Sequence, residues 1–129
     1  MIIILDSNEY IISLNKKTQL PDKIFLNNQI YINEIIVKEI LRNIKESFKS
    51  QFYKLLFKDN ITIYNEKLPI NLFEEYKKLG LKKGDIEIAA FCENIYADYL
   101  ITENRRFLKS KKFEKFKVNH NYIFSLSFI

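Results

Sequence analysis

Ile2-Ile3-Ile4-Leu5-Asp6-Ser7-Asn8 is the stretch that decides the fold. Four consecutive apolar residues, three of them β-branched, make a run of strand length. An unalternating run of this kind suits a central parallel strand covered on both faces. It stops at an acid. A second such run, Tyr99-Leu100-Ile101-Thr102, stops at Glu103 and Asn104. Ile30-Tyr31-Ile32, Ile61-Thr62-Ile63-Tyr64 and Phe116-Lys117-Val118 read as further short strands.

Helical segments lie between these strands. Asn8 to Leu14 reads as a short helix. Pro21 breaks the chain, and a turn begins over Asp22 to Leu26. Asn33 is placed as an N-cap for a long helix carrying Ile36, Ile40 and Ile44 at spacings of four, with a break expected near Ser47 to Ser50. Another helix follows over Gln51 to Phe57. Asn71 to Leu79 reads as a helix ended by Gly80. Gly84-Asp85 opens a helix over Ile86 to Ile95, with Asp85 at or near its N-cap. Arg105 to Lys109 suggests a short helix, and Asn119 caps a last one over Tyr122 to Phe128. Strands alternating with helices imply a three-layer α/β/α sandwich with a central, mostly parallel sheet. At 129 residues the chain is expected to form a single domain over 1–129.

Composition removes several chemistries. One cysteine, Cys92, excludes an internal disulfide and a cysteine-based zinc site. One histidine, His120, excludes a two- or three-histidine metal site within the chain. The two glycines, Gly80 and Gly84, are not followed by Gly-Lys-Ser/Thr, so neither a P-loop nor a dinucleotide fingerprint is present. No segment approaches the roughly 20 apolar residues of a membrane span. The opening apolar run is short, has no basic residue before it and ends at Asp6. It reads as a strand rather than a signal peptide, and the expected location is the cytoplasm. A net charge of +5 is compatible with a polyanionic partner, and equally with a lysine-rich surface.

In open parallel sheets, ligands bind beyond the carboxyl ends of the strands. That rule selects Asp6 and the segment Thr102-Glu103-Asn104. Asp85 at a helix start and Glu39 in the helix after the second strand are further acids near element ends. Carboxylates gathered at one edge repel each other and call for a counter-charge. A hard divalent cation supplies it through oxygen ligands, and such a site suits phosphodiester hydrolysis.

These segments, in this order, resemble the PIN domain, the small metal-dependent nuclease fold of VapC-type toxins and related ribonucleases. Ile2 to Asn8 resembles that family's first strand with Asp-Thr/Ser-Asn/Ser. Ile36-Val37-Lys38-Glu39-Ile40-Leu41 resembles the helix with its second acid, and Gly84-Asp85-Ile86-Glu87-Ile88-Ala89-Ala90 the helix with its third. Ala97 to Phe107 resembles its fourth motif, with Asn104 where many members have Asp. The resemblance implies a Mg²⁺- or Mn²⁺-dependent endoribonuclease that leaves a 5′-phosphate without a covalent intermediate. Asp6, Glu39, Asp85 and Asn104 would form the catalytic set. Asp6 and Asp85 would bind the metal directly, and Glu39 would bind it directly or through water, or orient the attacking water, with Glu103 as an alternative to Asn104. Ser7, Asn8, Thr102, Arg105 and Arg106 would contact substrate. The implied partners are RNA, a small antitoxin protein and a second copy of the chain.

Each acid also has a plain structural reading. Asp6 can end a strand as a turn residue, Asp85 can be only a cap, and Glu39 can pair with Arg42 on a solvated face. Asp98 and Glu87 read as structural or surface residues, Cys92 as a small buried hydrophobe, Ala89 and Ala90 as close-packing positions, and His120 as a cap or surface residue. Arg105 to Lys117 holds seven basic residues against Glu114. Its Phe107, Phe113 and Phe116 are assigned to the core, while Arg105 and Arg106 adjoin the proposed site. The rival function is a catalytically inactive nucleic-acid-binding or scaffold domain, motivated by Asn104. A receiver- or flavodoxin-like domain shares the layers, but the chain lacks a phosphate loop and the lysine expected near a final strand.

Overall fold

The computed structural model describes residues 1–15, 28–108 and 113–119. Pro21, the turn over 22–26, the helix over 122–128, His120, and Lys109, Lys111 and Lys112 lie outside the described residues. The five strands are β1 (Ile2–Leu5), β2 (Gln29–Asn33), β3 (Ile61–Tyr64), β4 (Tyr99–Ile101) and β5 (Lys117–Asn119). All pair in parallel, in the order β3-β2-β1-β4-β5. The helices that flank the sheet are α1 (Ser7–Asn15), α2 (Glu34–Asn43), α3 (Lys49–Leu56), α4 (Ile70–Lys78), α5 (Lys83–Asn94) and α6 (Arg105–Leu108). The expected α/β architecture is therefore present, and the sheet is wholly parallel.

β1 lies in the middle, with Ile3 opposite Ile30 of β2 and Ile4 opposite Leu100 of β4. Successive side chains of a strand point to opposite faces. A strand covered by helices on both sides must then be apolar throughout, and Ile3, Ile4 and Leu5 are all buried. Ala89, Ala90, Phe91 and Cys92 of α5 are fully buried, as expected where small residues let a helix approach a sheet. Phe107 and Phe116 are buried, and Phe113 stacks between them with ring centroids 5.3 and 5.2 Å away. The aromatic residues of the basic segment thus belong to the core. Asp98 is structural as well, its Oδ2 accepting the backbone N–H of Ile2 at 2.7 Å.

Two helix boundaries differ from expectation. α2 starts as anticipated, with Asn33 Oδ1 accepting the Ile36 N–H at 2.9 Å. It ends at Asn43 rather than near Ser47 to Ser50, and a 3₁₀ turn over Glu46–Phe48 leads into α3. The cause is tertiary. Asn15, at the end of α1, donates from Nδ2 to the Asn43 carbonyl at 3.0 Å and accepts the Lys45 N–H on Oδ1 at 3.2 Å. A helix end needs partners for its last carbonyls, and here another helix provides one. The second correction concerns α5, which starts at Lys83 with Lys82 as its cap. The Ile86 N–H bonds the Lys82 carbonyl at 2.8 Å, so Asp85 is the third residue of the helix and not its N-cap. Its carboxylate is freed from capping and sits in the positive first turn. Gly80 ends α4 as expected, at φ +86.

Candidate functional site

The strand order reverses direction at the β1–β4 pair: the chain proceeds from β1 outward to β2 and β3, then crosses to β4 and β5. This is the topological switch point, where the loops beyond two adjacent strands diverge and leave a crevice. A cleft of about 390 Å³ opens there. Its wall includes Asp6 from the end of β1, Ser7 and Asn8 from α1, Glu39 from α2, Asp85 from α5, Asn104 from the β4–α6 turn and Arg106 from α6. A larger cleft of about 580 Å³ is bordered by the α6–β5 region, and the one aspartate in its wall, Asp98, is bonded to the Ile2 N–H.

Asp6 is the most tightly held of the acids. Its N–H donates to the Ile101 carbonyl at 2.9 Å, which ties it to the end of β4. Oδ1 accepts the Ser7 N–H at 2.8 Å and Oδ2 accepts the Thr102 hydroxyl at 2.8 Å. Burial pushes its carboxyl pKa up. The two hydrogen bonds act the other way, and the charges of Glu39 and Asp85 add to the upward shift. The side chain is therefore fixed in place but short of positive charge.

Ser7 couples the first and second acids. Its hydroxyl donates to Glu39 Oε2 at 2.5 Å, while Asp6 Oδ1 lies 3.5 Å away. A hydroxyl has one proton, and the shorter contact takes it. The Asn43 amide donates to the Glu39 carbonyl at 2.8 Å one turn along α2.

Asp85 is buried at 5 % exposure, and one group of the β4–α6 turn and one of α6 address it. Asn104 Nδ2 is 3.4 Å from Oδ1, and Arg106 Nε is 3.0 Å from Oδ2. The arginine contact is an ion pair without the alignment of a hydrogen bond, and Oδ2 accepts none among the described residues. Asn104 is oriented by its own role as cap of α6: its Oδ1 accepts the Arg106 N–H at 2.9 Å, and its N–H donates to Thr102 Oγ1 at 3.0 Å. With the oxygen used for the cap, the amide nitrogen must face Asp85.

The structure thus gathers Asp6, Ser7, Asn8, Glu39, Asp85, Asn104 and Arg106 around one cleft. Three expected residues stand elsewhere. Glu103 is exposed and is not part of the cleft wall, because capping of α6 turns its neighbour Asn104 inward instead. Arg105 is likewise exposed and off the wall. Thr102 is wholly buried, and its hydroxyl is committed to Asp6 and to the Asn104 N–H, so it braces the acid rather than meeting a substrate. Ile11, Asn43, Gly84 and Ile88 also line the cleft and were not anticipated. Asn43 had one usable signal, its position four residues after Glu39 on the same helix face. Among the described residues, no group of three or more His, Cys, Asp or Glu side chains that could hold a metal ion is assembled.

No protein-family model matches the sequence, and no curated protein matches it significantly. A solved structure does match. The chain shares its fold with a chain of VapBC2 from Rickettsia felis, crystallised bound to a DNA fragment from their promoter. The TM-score is 0.64, over 93% of this chain and 98% of that one, at 23% sequence identity. Coverage of that extent shows that the shared fold extends well beyond one βα unit. Among the described residues no helix is long and apolar enough to cross a membrane.

Proposed function

We propose that the chain is a Mg²⁺- or Mn²⁺-dependent endoribonuclease, acting as the toxin of a toxin–antitoxin pair. The observation that carries the reading is the convergence of Asp6, Glu39 and Asp85, from three separate elements, on one cleft at the switch point. Three carboxylates lining one cleft repel one another, and such an arrangement is characteristic of sites that take a cation. The donor set fits a hard divalent ion: carboxylate oxygens, and a buried Asp85 Oδ2 that accepts no hydrogen bond among the described residues. Mg²⁺ is commonly held by one or two carboxylates together with waters and substrate phosphate, so a closed protein cage is not needed.

Asp6 and Asp85 would hold the ion, with Glu39 beside them. A bound Mg²⁺ or Mn²⁺ would supply an activated water at neutral pH and positive charge against the phosphate. The protein's own residues set up the rest. Thr102 and the Ser7 N–H keep Asp6 in one rotamer. The Ser7 hydroxyl fixes Glu39 Oε2, leaving Oε1 to orient a water and accept its proton. Asn8, exposed at the cleft mouth, would donate to a non-bridging phosphate oxygen. Water would attack the phosphorus directly as the P–O3′ bond breaks, leaving a 5′-phosphate on one fragment and a protonated 3′-hydroxyl on the other.

The similarity in fold to a chain of a two-protein VapBC2 assembly supports a small antitoxin partner. We also propose a homodimer and a cytoplasmic setting. A monomeric mass at tens of micromolar would overturn the dimer, and failure to co-purify with a small protein encoded beside it would count against the antitoxin.

The deciding experiment is cleavage of a labelled structured-RNA pool in Mn²⁺, with Asp6→Asn and EDTA as controls. Cleavage abolished by both is the expected result. The second reading, an inactive nucleic-acid-binding or scaffold module, is favoured by the Arg106–Asp85 pair and by the amide at Asn104. No cleavage and no Mn²⁺-induced rise in melting temperature would select it, because an ion that binds only the native state must stabilise it.

A further inference from the structure

Arg106 is the one cationic side chain among the described residues that line the acidic cleft, where it faces three carboxylates. Its Nε lies 3.0 Å from Asp85 Oδ2, on the carboxylate edge away from Asn104. The partners are unequally buried: the Asp85 side chain is 7 % exposed and that of Arg106 is 54 % exposed. Asp85 comes from a helix packed on the sheet and is held in place. Arg106 reaches in from solvent at the start of α6, and its backbone is anchored through its own N–H to Asn104 Oδ1. Its guanidinium can therefore swing away while the turn that presents it stays in position.

We propose that Arg106 is a displaceable internal counter-ion, which occupies Asp85 in the metal-free protein and must be expelled before a divalent cation can use Asp85 Oδ2. The inference rests on the metal-binding reading above and adds to it a built-in competitor. Three features support it. The contact lacks hydrogen-bond alignment, so it holds Asp85 by charge and little else. An ion pair with one solvated partner is weak and readily exchanged. No other cation of the described wall could neutralise Asp85 in its place. Once expelled, the guanidinium remains at the cleft mouth, where a planar fork of donors suits a phosphate.

The test is Mn²⁺ titration of the 129-residue chain by calorimetry and by melting temperature, in wild type, Arg106→Gln, Arg106→Lys, Asp85→Asn and the Arg106→Gln/Asp85→Asn double variant. Arg106→Gln should bind Mn²⁺ about threefold or more tighter than wild type, the size expected on removing a half-solvated ion pair. Arg106→Lys keeps the charge and should stay near wild type. In the Asp85→Asn background the Arg106→Gln gain should vanish, since the two changes act on one contact. A residue that merely supported α6 would not tighten metal binding when replaced. Measurable but equal or weaker Mn²⁺ affinity in Arg106→Gln overturns the counter-ion and leaves the metal reading standing. No measurable Mn²⁺ binding in wild type or any variant overturns both.

Discussion

Asp6 shows what burying a carboxylate beside two others costs a fold. Burial and the nearby charges of Glu39 and Asp85 raise its pKa in the folded protein above the unfolded value of 3.8. A carboxyl raised on folding takes up protons on folding. Its contribution is most favourable below pH 3.8 and declines as pH rises through the folded value. Asp6→Asn removes that penalty while keeping an oxygen for the Ser7 N–H. The metal-free variant should be more stable than wild type at pH 7, by about 1 kcal/mol. The difference should shrink as pH falls toward 4, and the Mn²⁺-dependent rise in melting temperature should be lost. Urea titrations across pH, with and without Mn²⁺, check all three; an Asp6→Asn protein less stable than wild type at pH 7 would contradict the argument.

At the scale of elements, two helix ends have causes outside the usual cap residues. Asn15 closes α2 from a different helix, through bonds to Asn43 and Lys45. Asn15→Ala should cost about 1–2 kcal/mol, read as a lower urea midpoint with an unchanged slope. The second case is the end of α5. There Tyr96 takes φ 56, a left-handed conformation that costs a side-chain-bearing residue about 1–2 kcal/mol. The Ala97 N–H reaches back to the Cys92 carbonyl at 2.9 Å, the closing bond of a helix-ending turn normally built with glycine. The Tyr96 ring is 85 % exposed and little packing would be lost on removing it. Tyr96→Gly should raise the melting temperature by a few degrees, or about 1 kcal/mol. An unchanged or lower value would mean that the exposed ring has a packing role after all.

Over the whole molecule, a parallel sheet brings the ends of β1 and β4 together although 93 residues separate Leu5 from Tyr99 in sequence order of elements. The sequence from Arg105 to Lys117 is rich in lysine and arginine, and its first described residues, Arg105–Leu108, form α6 beside the cleft. If RNA is the substrate class, neutralising its phosphates releases counter-ions, and binding must weaken as salt rises. An Asp6→Asn protein, able to bind without cutting, should show an RNA Kd that increases steeply between 50 and 200 mM salt, on the order of tenfold or more. A Kd indifferent to salt would remove the basic segment from the interface.

The strands, the α/β alternation and an acid at the end of the first strand are legible in the chain. These features are local: a continuous apolar run specifies a strand covered on both faces, and an acid at its end can only lie at the sheet edge. Asp6 is readable for that reason; Glu39 and Asp85 lie inside helices, and they stand out in the sequence as acids near element ends and by the resemblance of their segments to a known family. Only the tertiary structure decided which way neighbouring side chains turn. Asn104 and Glu103 are adjacent, and one faces the cleft because its oxygen caps α6. Thr102 is a brace rather than a contact because the buried Asp6 Oδ2 lies 2.8 Å away. α2 stops at Asn43 because Asn15 stands against its end. Arg106 meets Asp85 across 21 positions of sequence through the approach of α5 to the β4–α6 turn. A residue's type and spacing are written in the chain, whereas the partner that uses up its hydrogen bonds is supplied by whatever element the fold packs beside it.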